Sequence, residues 1–148
     1  MPQLSLHSPV GDLTISEDNG AIVALDWGWG RDQCETPLLV AARQQLQDYF
    51  DDGMTSFSLP LAPLGTSHQH QVWTQMQQIP AGSTKTYGEI AAAVGSSPRA
   101  VGMACGANPI PIIIPCHRVR AANSLGGYSG SGGVETKVAL LRLERALL

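Results

Sequence analysis

Residues 108–119 read NPIPIIIPCHRV, the most informative stretch in the C-terminal half of the chain. Pro109, Pro111 and Pro115 cannot donate to a sheet ladder, so the stretch is not a central strand. The isoleucines between the prolines require burial. The pattern therefore predicts an extended, buried and rigid segment that holds Cys116 in a fixed place.

Cys116 is followed directly by His117, a residue type that can remove a thiol proton. Neighbouring side chains do not face each other in a regular helix or strand, so the two can cooperate only through a turn, which Pro115 can begin, or through a water. A carboxylate usually orients such an imidazole. The C-terminal half offers Glu144 on a closing helix, with Glu89 and Glu135 as alternatives. An inert buried thiol is the competing interpretation of Cys116.

Two short helices are predicted ahead of this segment. Residues 86–95, TYGEIAAAVG, form a helix closed by glycine, and Ser97 caps a second helix from Arg99 to about Ala107. Such a pair predicts a helix-turn-helix. Alanine and glycine leave the surface of the second helix nearly smooth, which suits close approach to a narrow minor groove. Tight packing inside the protein is the alternative explanation.

The N-terminal residues predict a small α/β lobe. Residues 13–16 and 21–25 are strand-like and flank Asn19-Gly20, a strong hairpin signal. A helix follows from Pro37, capped by Thr36, to a stop at Gly53, with Leu38, Leu39, Ala42, Leu46 and Phe50 on its apolar face. Residues 57–61 predict an edge strand.

The predicted fold class is an α/β N-terminal lobe, residues 1–62, joined to a mostly α-helical C-terminal domain, residues 66–148, that contains the helix-turn-helix. The C-terminal domain begins with a helix capped near Thr66 or Ser67. It ends with a helix from about Val134 to Leu147, for which the spacing predicts a stripe of Val134, Val138, Leu141 and Arg145.

Charge is divided unevenly along a chain whose formal net charge is −3. Residues 1–65 carry two basic and nine acidic side chains, a net −7, whereas residues 66–148 carry seven basic and three acidic ones, a net +4. The second part suits a phosphate backbone, and the first favours solubility. A surface charge that merely drifts along the chain is the alternative.

Three cysteines, Cys34, Cys105 and Cys116, stand at irregular spacing, which argues against a disulfide framework. The absence of a C-x-x-C pair argues against zinc, and His68 and His70 are expected to face solvent because their spacing points them apart. Free thiols indicate a reducing compartment. No apolar run approaches the ~20 residues that cross a bilayer, and no secretory signal opens the chain, so we expect a soluble, cytoplasmic protein.

The segment IPCHRV, residues 114–119, resembles the signature of the O6-alkylguanine-DNA alkyltransferase (methylated-DNA–protein-cysteine methyltransferase) family. The resemblance extends over residues 65–148, with blocks in the family's order, whereas residues 1–62 resemble the family's variable N-terminal lobe only in outline. The blocks are Gly65-Thr66, Thr86-Tyr87-Gly88, Arg99-Ala100-Val101-Gly102, Asn108-Pro109-Ile110-Pro111, Pro115 to Val119, Gly127-Tyr128-Ser129-Gly130, Lys137 and Leu143-Glu144.

The resemblance implies a catalytic role for each of five residues. Cys116 would accept the alkyl group, His117 would act through a water as its base, and Glu144 would hold His117. Tyr87 would help to swing the target nucleotide out of the duplex and would donate a proton as guanine leaves. Asn108 would brace the turn around the site.

The resemblance also implies how substrate is bound. Arg99 would fill the gap left by the flipped base, and the helix that it begins would enter the minor groove. Tyr128 and Ser129 would line the alkyl pocket, with Ser129 near the O6 region. The full implied binding set is Tyr87, Arg99, Ala100, Gly102, Met103, Arg118, Tyr128, Ser129 and Gly130.

The function implied by the resemblance is suicidal DNA repair: an alkyl group passes irreversibly from O6-alkylguanine in duplex DNA to Cys116 after base flipping. O4-alkylthymine is a further candidate substrate. No cofactor and no metal is needed, because the damaged base is itself the alkyl donor. The implied partner is double-stranded DNA bound through its minor groove, with no membrane, and the protein is expected to be a monomer.

Three other functions compete with this one. A damage sensor of the same fold would bind the lesion but lack the cysteine, typically with Trp in its place. A Cys-His-Glu hydrolase would turn over repeatedly and gives no reason for the smooth helix or Arg99. A plain DNA-binding regulator would not need Cys116.

Overall fold

The computed structural model describes residues 1–147. In chain order the elements are β1 (Gln3–Leu6), β2 (Leu13–Asp18), β3 (Ala21–Trp27), α1 (Pro37–Asp52), α2 (Ser67–Gln77), β4 (Lys85–Thr86), α3 (Tyr87–Val94), α4 (Pro98–Gly106), a 3₁₀ turn (Cys116–Arg118), β5 (Val119–Arg120) and α5 (Val134–Leu143). An N-terminal lobe built on a sheet thus precedes a helical C-terminal domain. One cluster of buried apolar side chains runs through both, from Leu4 to Leu140.

The N-terminal sheet is an antiparallel meander in the order β1-β2-β3. Asp18 pairs with Ala21 across Asn19-Gly20, whose φ angles of 50° and 78° are both positive. This is the two-residue hairpin that the Asn-Gly pair predicts. β1, which pairs with β2, was not predicted, because four residues next to the N-terminus carry too little pattern.

Helix α1 begins and ends where the sequence predicts. The Thr36 hydroxyl accepts a hydrogen bond from the Leu39 amide, and Gly53 ends the helix in the left-handed conformation at φ 71°. The fully packed face differs from the prediction, since Tyr49 is buried whereas Leu38 and Phe50 are only partly so. The remaining buried residues are Leu39, Ala42 and Leu46.

The predicted edge strand over residues 57–61 is wrong. Only Leu61 forms an isolated bridge, to Ile22, with Ile22 donating to the Pro60 carbonyl at 2.8 Å. Pro60 has no amide hydrogen with which to continue a ladder. This stretch therefore lies along β3 without becoming a strand.

Three helices of the C-terminal domain start at capping side chains, of which the sequence identifies Thr66 and Ser97. Thr66 and Thr86 form capping boxes with Gln69 and Glu89, and Ser97 caps α4. Residues 95–97 join α3 to α4. The Trp73 indole donates to the Ala104 carbonyl at 2.9 Å and so fixes α2 against α4. β4 and β5 form a short parallel pair that was not predicted, because two-residue strands leave no periodic signal.

The closing helix α5 is shorter than predicted. It ends at Leu143, Glu144 is its C-terminal cap, and Arg145 has a positive φ of 62°. Its buried residues are Thr136, Lys137, Leu140 and Leu141, whereas Val134 is 46% exposed. Of the predicted stripe, Leu141 is buried and Val138 is half-buried, but Val134 is exposed and Arg145 lies beyond the end of the helix. Lys137 takes a buried position through its hydrogen bonds to the Val119 and Gly127 carbonyls. Among residues 1–147, no helix is long and apolar enough to cross a membrane.

Candidate active site

The segment that carries Cys116 is buried, as predicted, but it is not extended throughout. Ile112 has φ 73°, and the Ile114 amide donates to the Ile110 carbonyl at 2.9 Å, so the chain reverses between the prolines. Asn108 spans this reversal: its Oδ1 accepts from the Ile110 amide at 3.0 Å and its Nδ2 donates to the Ile114 carbonyl at 2.8 Å. The reversal buries the isoleucines and ends in the 3₁₀ turn at Cys116.

The Cys116 thiol is 4% exposed and lies at the first position of the 3₁₀ turn. Burial raises its pKa above the ordinary value, because the thiolate would be poorly solvated. A hydrogen bond with the Asn108 side chain and the positive charge of Lys137 act in the opposite direction on this pKa. The thiol therefore needs a base to ionise at neutral pH, and its surroundings already hold groups that favour the thiolate.

His117 provides an imidazole whose tautomer is defined by its partner. Its Nε2 lies 2.6 Å from Glu144 Oε2, and both side chains are fully buried. Burial lowers the pKa of His117 from its usual 6.5, against the opposing influence of Glu144, so the ring is neutral near pH 7. An ionised carboxylate can only accept hydrogen bonds, so Nε2 carries the hydrogen and Nδ1 keeps its lone pair. Nδ1 has no hydrogen-bond partner among the described residues.

Glu144 is ionised because its donors outweigh its burial. Burial alone would raise the pKa of this carboxyl, but hydrogen bonds from His117, Arg118 and Tyr49 lower it from 4.5 to about 2. Arg118 donates from Nε to Oε1 and from Nη2 to Oε2, both at 2.9 Å, and the Tyr49 hydroxyl donates to Oε2. This bidentate geometry is the strongest form of a carboxylate–guanidinium pair.

Of the three candidate carboxylates, the structure brings Glu144 alone to His117. Glu89 caps α3 through the Thr86 amide, and Glu135 is exposed in the first turn of α5. The structure also corrects the prediction that Arg118 contacts DNA. Its side chain is only 9% exposed, is paired with Glu144, and donates to the Ile79 carbonyl at 2.7 Å, so it has no free face to offer a phosphate.

A cavity of about 510 Å³ opens beside Cys116. Its walls come from α3, α4, the 3₁₀ turn and the glycine-rich loop over residues 125–133. They bring together five predicted residues: Tyr87, Gly102, Cys116, Tyr128 and Ser129. Pro98, Cys105, Gly106 and Gly127 complete the lining. Such a volume accommodates a single base or a ligand of similar size.

Tyr87 stands at one wall of this cavity, and burial together with the nearby thiols Cys105 and Cys116 raises its pKa, so it keeps its proton. Lys137 Nζ lies 5.8 Å from the centre of the Tyr87 ring and donates to the carbonyls of Val119 and Gly127 at 2.6 and 3.0 Å. Tyr128 also lines the cavity, and its hydroxyl is buried without a partner among the described residues. At Gly130 an added Cβ would meet the rings of Tyr128 and Trp27.

Helix α4 presents two different surfaces. Arg99 and Met103, one turn apart, are both exposed, Met103 to 70%. Arg99 makes no hydrogen bond or ion pair with any residue in the described range 1–147. Gly102 and Gly106 instead line the cavity, and Ala100 is half-buried. The same short helix therefore borders the cavity and offers an uncommitted arginine beside it.

A metal site finds no support within residues 1–147, where no cluster of three or more His, Cys, Asp or Glu side chains could hold an ion. The prediction that both histidines of α2 face solvent is wrong for His68, whose Nε2 lies 2.8 Å from the Ser96 hydroxyl. His70 is exposed and lies edge-on to Trp73. The three cysteines are free.

Sequence reasoning missed Tyr49, and it named Lys137 only as part of a motif. Tyr49 contacts Glu144 across 95 positions of the chain, a distance at which no local pattern carries information. The available signal was the spacing from Leu46 to Tyr49, which puts the tyrosine on the buried face of α1. For Lys137 the signal was a charged residue on the apolar face of α5.

Comparison with known proteins gives two family matches that together cover most of the chain. The family described as "6-O-methylguanine DNA methyltransferase, ribonuclease-like domain" matches residues 4–63, and "6-O-methylguanine DNA methyltransferase, DNA binding domain" matches residues 67–146. The chain belongs to the 6-O-methylguanine DNA methyltransferase family.

Individual relatives are similar over nearly their full length. The constitutive methylated-DNA–protein-cysteine methyltransferase of Bacillus subtilis is 45% identical over 153 residues, covering 94% of this chain and 92% of the relative. The methylated-DNA–protein-cysteine methyltransferase of Methanosarcina acetivorans is 40% identical, covering 93% and 94%. Among solved structures, Mycobacterium tuberculosis OGT in complex with DNA has a TM-score of 0.87 and 38% identity, covering 99% of this chain and 94% of that one.

Proposed function

We propose that this protein repairs alkylated DNA by moving an alkyl group from O6 of guanine to the sulfur of Cys116. The observation that carries the proposal is the neutral His117, which follows Cys116 in the chain, donates through Nε2 to an ionised Glu144 and keeps a lone pair on an Nδ1 that has no partner among the described residues. The cavity at Cys116 supplies a place for the base. The likeness to methylated-DNA–protein-cysteine methyltransferases supports the same reaction.

In the reaction, the Cys116 proton passes through a water to His117 Nδ1, and Glu144 stabilises the imidazolium that results. The thiolate then attacks the alkyl carbon, and the bond from that carbon to O6 breaks with its electron pair remaining on guanine. Tyr87 donates a proton to the departing base, which its raised pKa allows because the hydroxyl is protonated at every physiological pH. Ser129 and Tyr128 hold the base near its O6 edge.

The product is a thioether on Cys116, which no neighbouring base can hydrolyse. Each molecule therefore acts once, and neither a cofactor nor a metal takes part. Attack on a base within a duplex requires that the nucleotide be flipped out, at a cost of a few kcal/mol in lost stacking.

DNA binding is assigned to α3 and α4 acting as a helix-turn-helix, with α4 in the minor groove. Arg99 is exposed and without a partner in the described chain, so its guanidinium is available to stack in the gap that the flipped nucleotide leaves. Met103, one turn further on, offers an apolar contact to the groove wall. Gly102 and Gly106 let the duplex approach the cavity closely.

The domain boundaries that accompany this proposal are residues 1–62 and 66–148, and the acting species is a cytoplasmic monomer. The helical domain carries the acceptor cysteine and the DNA-binding helices. The acidic N-terminal lobe supplies Tyr49 to the site.

The proposal is tested by the loss of O6-methylguanine from a duplex, measured by nucleoside chromatography with protein in excess. Wild type is expected to remove the lesion, Cys116→Ala to leave it intact, and Cys105→Ala, which changes the second thiol of the same cavity, to remove it. Lesion binding without removal by wild type would mean a damage sensor. Removal by Cys116→Ala would overturn the assigned acceptor.

A further inference from the structure

The C-terminal end of α1 is docked against the end of α5, although the two helices belong to different lobes. Tyr49, which is fully buried, donates its hydroxyl to Glu144 Oε2. Four residues later, Gly53 packs so closely that an added Cβ would collide with the Leu143 carbonyl. The C-terminal end of α1 thus contacts both Leu143, the last residue of α5, and Glu144, its C-terminal cap.

The Glu144 carboxylate distributes its donors unequally between its oxygens. Among residues 1–147, Oε1 accepts from Arg118 Nε alone, whereas Oε2 accepts from Arg118 Nη2 at 2.9 Å, His117 Nε2 at 2.6 Å and the Tyr49 hydroxyl. A carboxylate oxygen has two lone pairs, so three donors on one oxygen share its charge. Tyr49 and His117 therefore compete for the same acceptor.

We propose that Tyr49 is a positioning residue for the transfer reaction, which fixes Glu144 Oε2 and limits how strongly that oxygen attracts the proton on His117. This role rests on the proposed function, because it matters only where His117 accepts the Cys116 proton. Tyr49 thus sets the pKa of His117, the general base, without contacting the substrate. The N-terminal lobe is thereby part of the reaction machinery and not only a scaffold.

The direction of the tuning follows from the charges around the imidazole. The carboxylate of Glu144 raises the pKa of His117, whereas burial and the positive charges of Arg118 and Lys137 lower it. A hydroxyl that donates to the carboxylate withdraws part of the charge that stabilises the imidazolium. Removing the hydroxyl is expected to raise the pKa of His117.

Tyr49 itself remains a donor over the whole accessible pH range. Burial, followed by the charge of Glu144 and its hydrogen bond, raises the pKa of Tyr49 far above 10, against the opposing effect of Arg118. The other titratable group that faces it is Tyr128, which also keeps its proton because burial raises its pKa. The hydrogen bond from Tyr49 to Glu144 therefore does not titrate within the range in which His117 does.

The test compares Tyr49→Phe with the control variant Thr14→Val. Thr14 lies in the N-terminal sheet, and its buried hydroxyl forms hydrogen bonds with Gly28 and Ser5. The pKa of His117 is read from ¹⁵N-histidine NMR, and the acid limb of the pH–rate profile from single-turnover repair of an O6-methylguanine duplex. Tyr49→Phe is expected to move both upward by about one pH unit. Thr14→Val is expected to lower stability and leave both in place.

A second perturbation separates tuning from loss of structure. Site-specific 3-fluorotyrosine at position 49 makes the hydroxyl a stronger donor, so the pKa of His117 is expected to fall, opposite in sign to Tyr49→Phe. Unchanged values in both variants, or a shift of the same sign in both, would overturn the role of Tyr49. Absence of methyl transfer by wild type would instead count against the proposed function. The NMR result would still show whether Tyr49 changes the pKa of His117.

Discussion

Replacement of Glu144 by Gln perturbs the most heavily bonded side chain of the site. The substitution keeps the shape of the side chain but removes the charge that faces His117, Arg118 and Tyr49. Removing one member of a buried ion pair lowers the free energy of unfolding by about 3–5 kcal/mol, because the partner charge is left buried and unpaired. The lowered pKa of Glu144, about 2 against 4.5, corresponds independently to about 3 kcal/mol in favour of the ionised form.

We therefore expect Glu144→Gln to lower the free energy of unfolding at pH 7 by about 3 kcal/mol, measured by urea titration followed by circular dichroism. In the folded protein, the single-turnover repair rate is expected to fall about a hundredfold or more, because His117 loses the group that orients and stabilises its protonated form. Glu135→Gln, an exposed carboxylate on the same helix, is the matched control and should change neither quantity. A stability loss below about 1 kcal/mol with a near-normal rate would refute the reasoning.

Three further predictions concern pH, the cavity wall and the exposed side of helix α4. The pKa of Glu144 is lower in the folded state, so its ionised carboxylate stabilises the fold fully above about pH 4.5, and this stabilisation is lost as pH falls towards 2. The free energy of unfolding of wild type should therefore fall more steeply in this pH range than that of Glu144→Gln. Gly126 has φ 73°, and a Cβ added there would lie 2.9 Å from the Tyr87 hydroxyl, so Gly126→Ala should displace Tyr87. The variant should slow repair more than it weakens DNA binding in gel-shift titrations. Equal effects on the repair rate and on DNA binding would argue against a displaced Tyr87. Arg99→Ala should slow repair in duplex DNA by about tenfold and leave repair of a single-stranded substrate unchanged. Replacement of the exposed Arg31 by Ala should leave repair of both substrates unchanged. Similar losses on both substrates would remove the gap-filling role of Arg99.

Local features of the fold were predictable because short-range chemistry specifies them. Thr36, Thr66 and Ser97 each cap a helix through an amide three residues later, and Asn19-Gly20 closes a hairpin that needs two positive φ angles. The shortened α5 and the absent strand at residues 57–61 were not predictable from periodicity. Helix α5 ends where Glu144 bonds His117 and Arg118 and Arg145 takes a positive φ, and residues 57–61 contact β3 through Ile22. These partners lie far away in the sequence.

The candidate site was predictable in its chemistry and less so in its contacts. The residues around Cys116 suggested a thiol with an imidazole, but they left three carboxylates open until packing placed Glu144 against His117. Arg118 was misjudged because an arginine in a basic half suggests DNA, whereas burial pairs it with Glu144. Tyr49 could not be foreseen, since its contact joins positions 95 residues apart.

The central claim is tested most directly by intact-protein and peptide mass spectrometry after the protein is mixed with a duplex that carries one O6-methylguanine. The account predicts a mass gain of one methyl group, confined to the peptide that contains Cys116 and absent from those that contain Cys34 and Cys105. The gain should stop at one per molecule however much damaged duplex is added. Methyl on another residue, or lesion removal that continues without modification of Cys116, would contradict it.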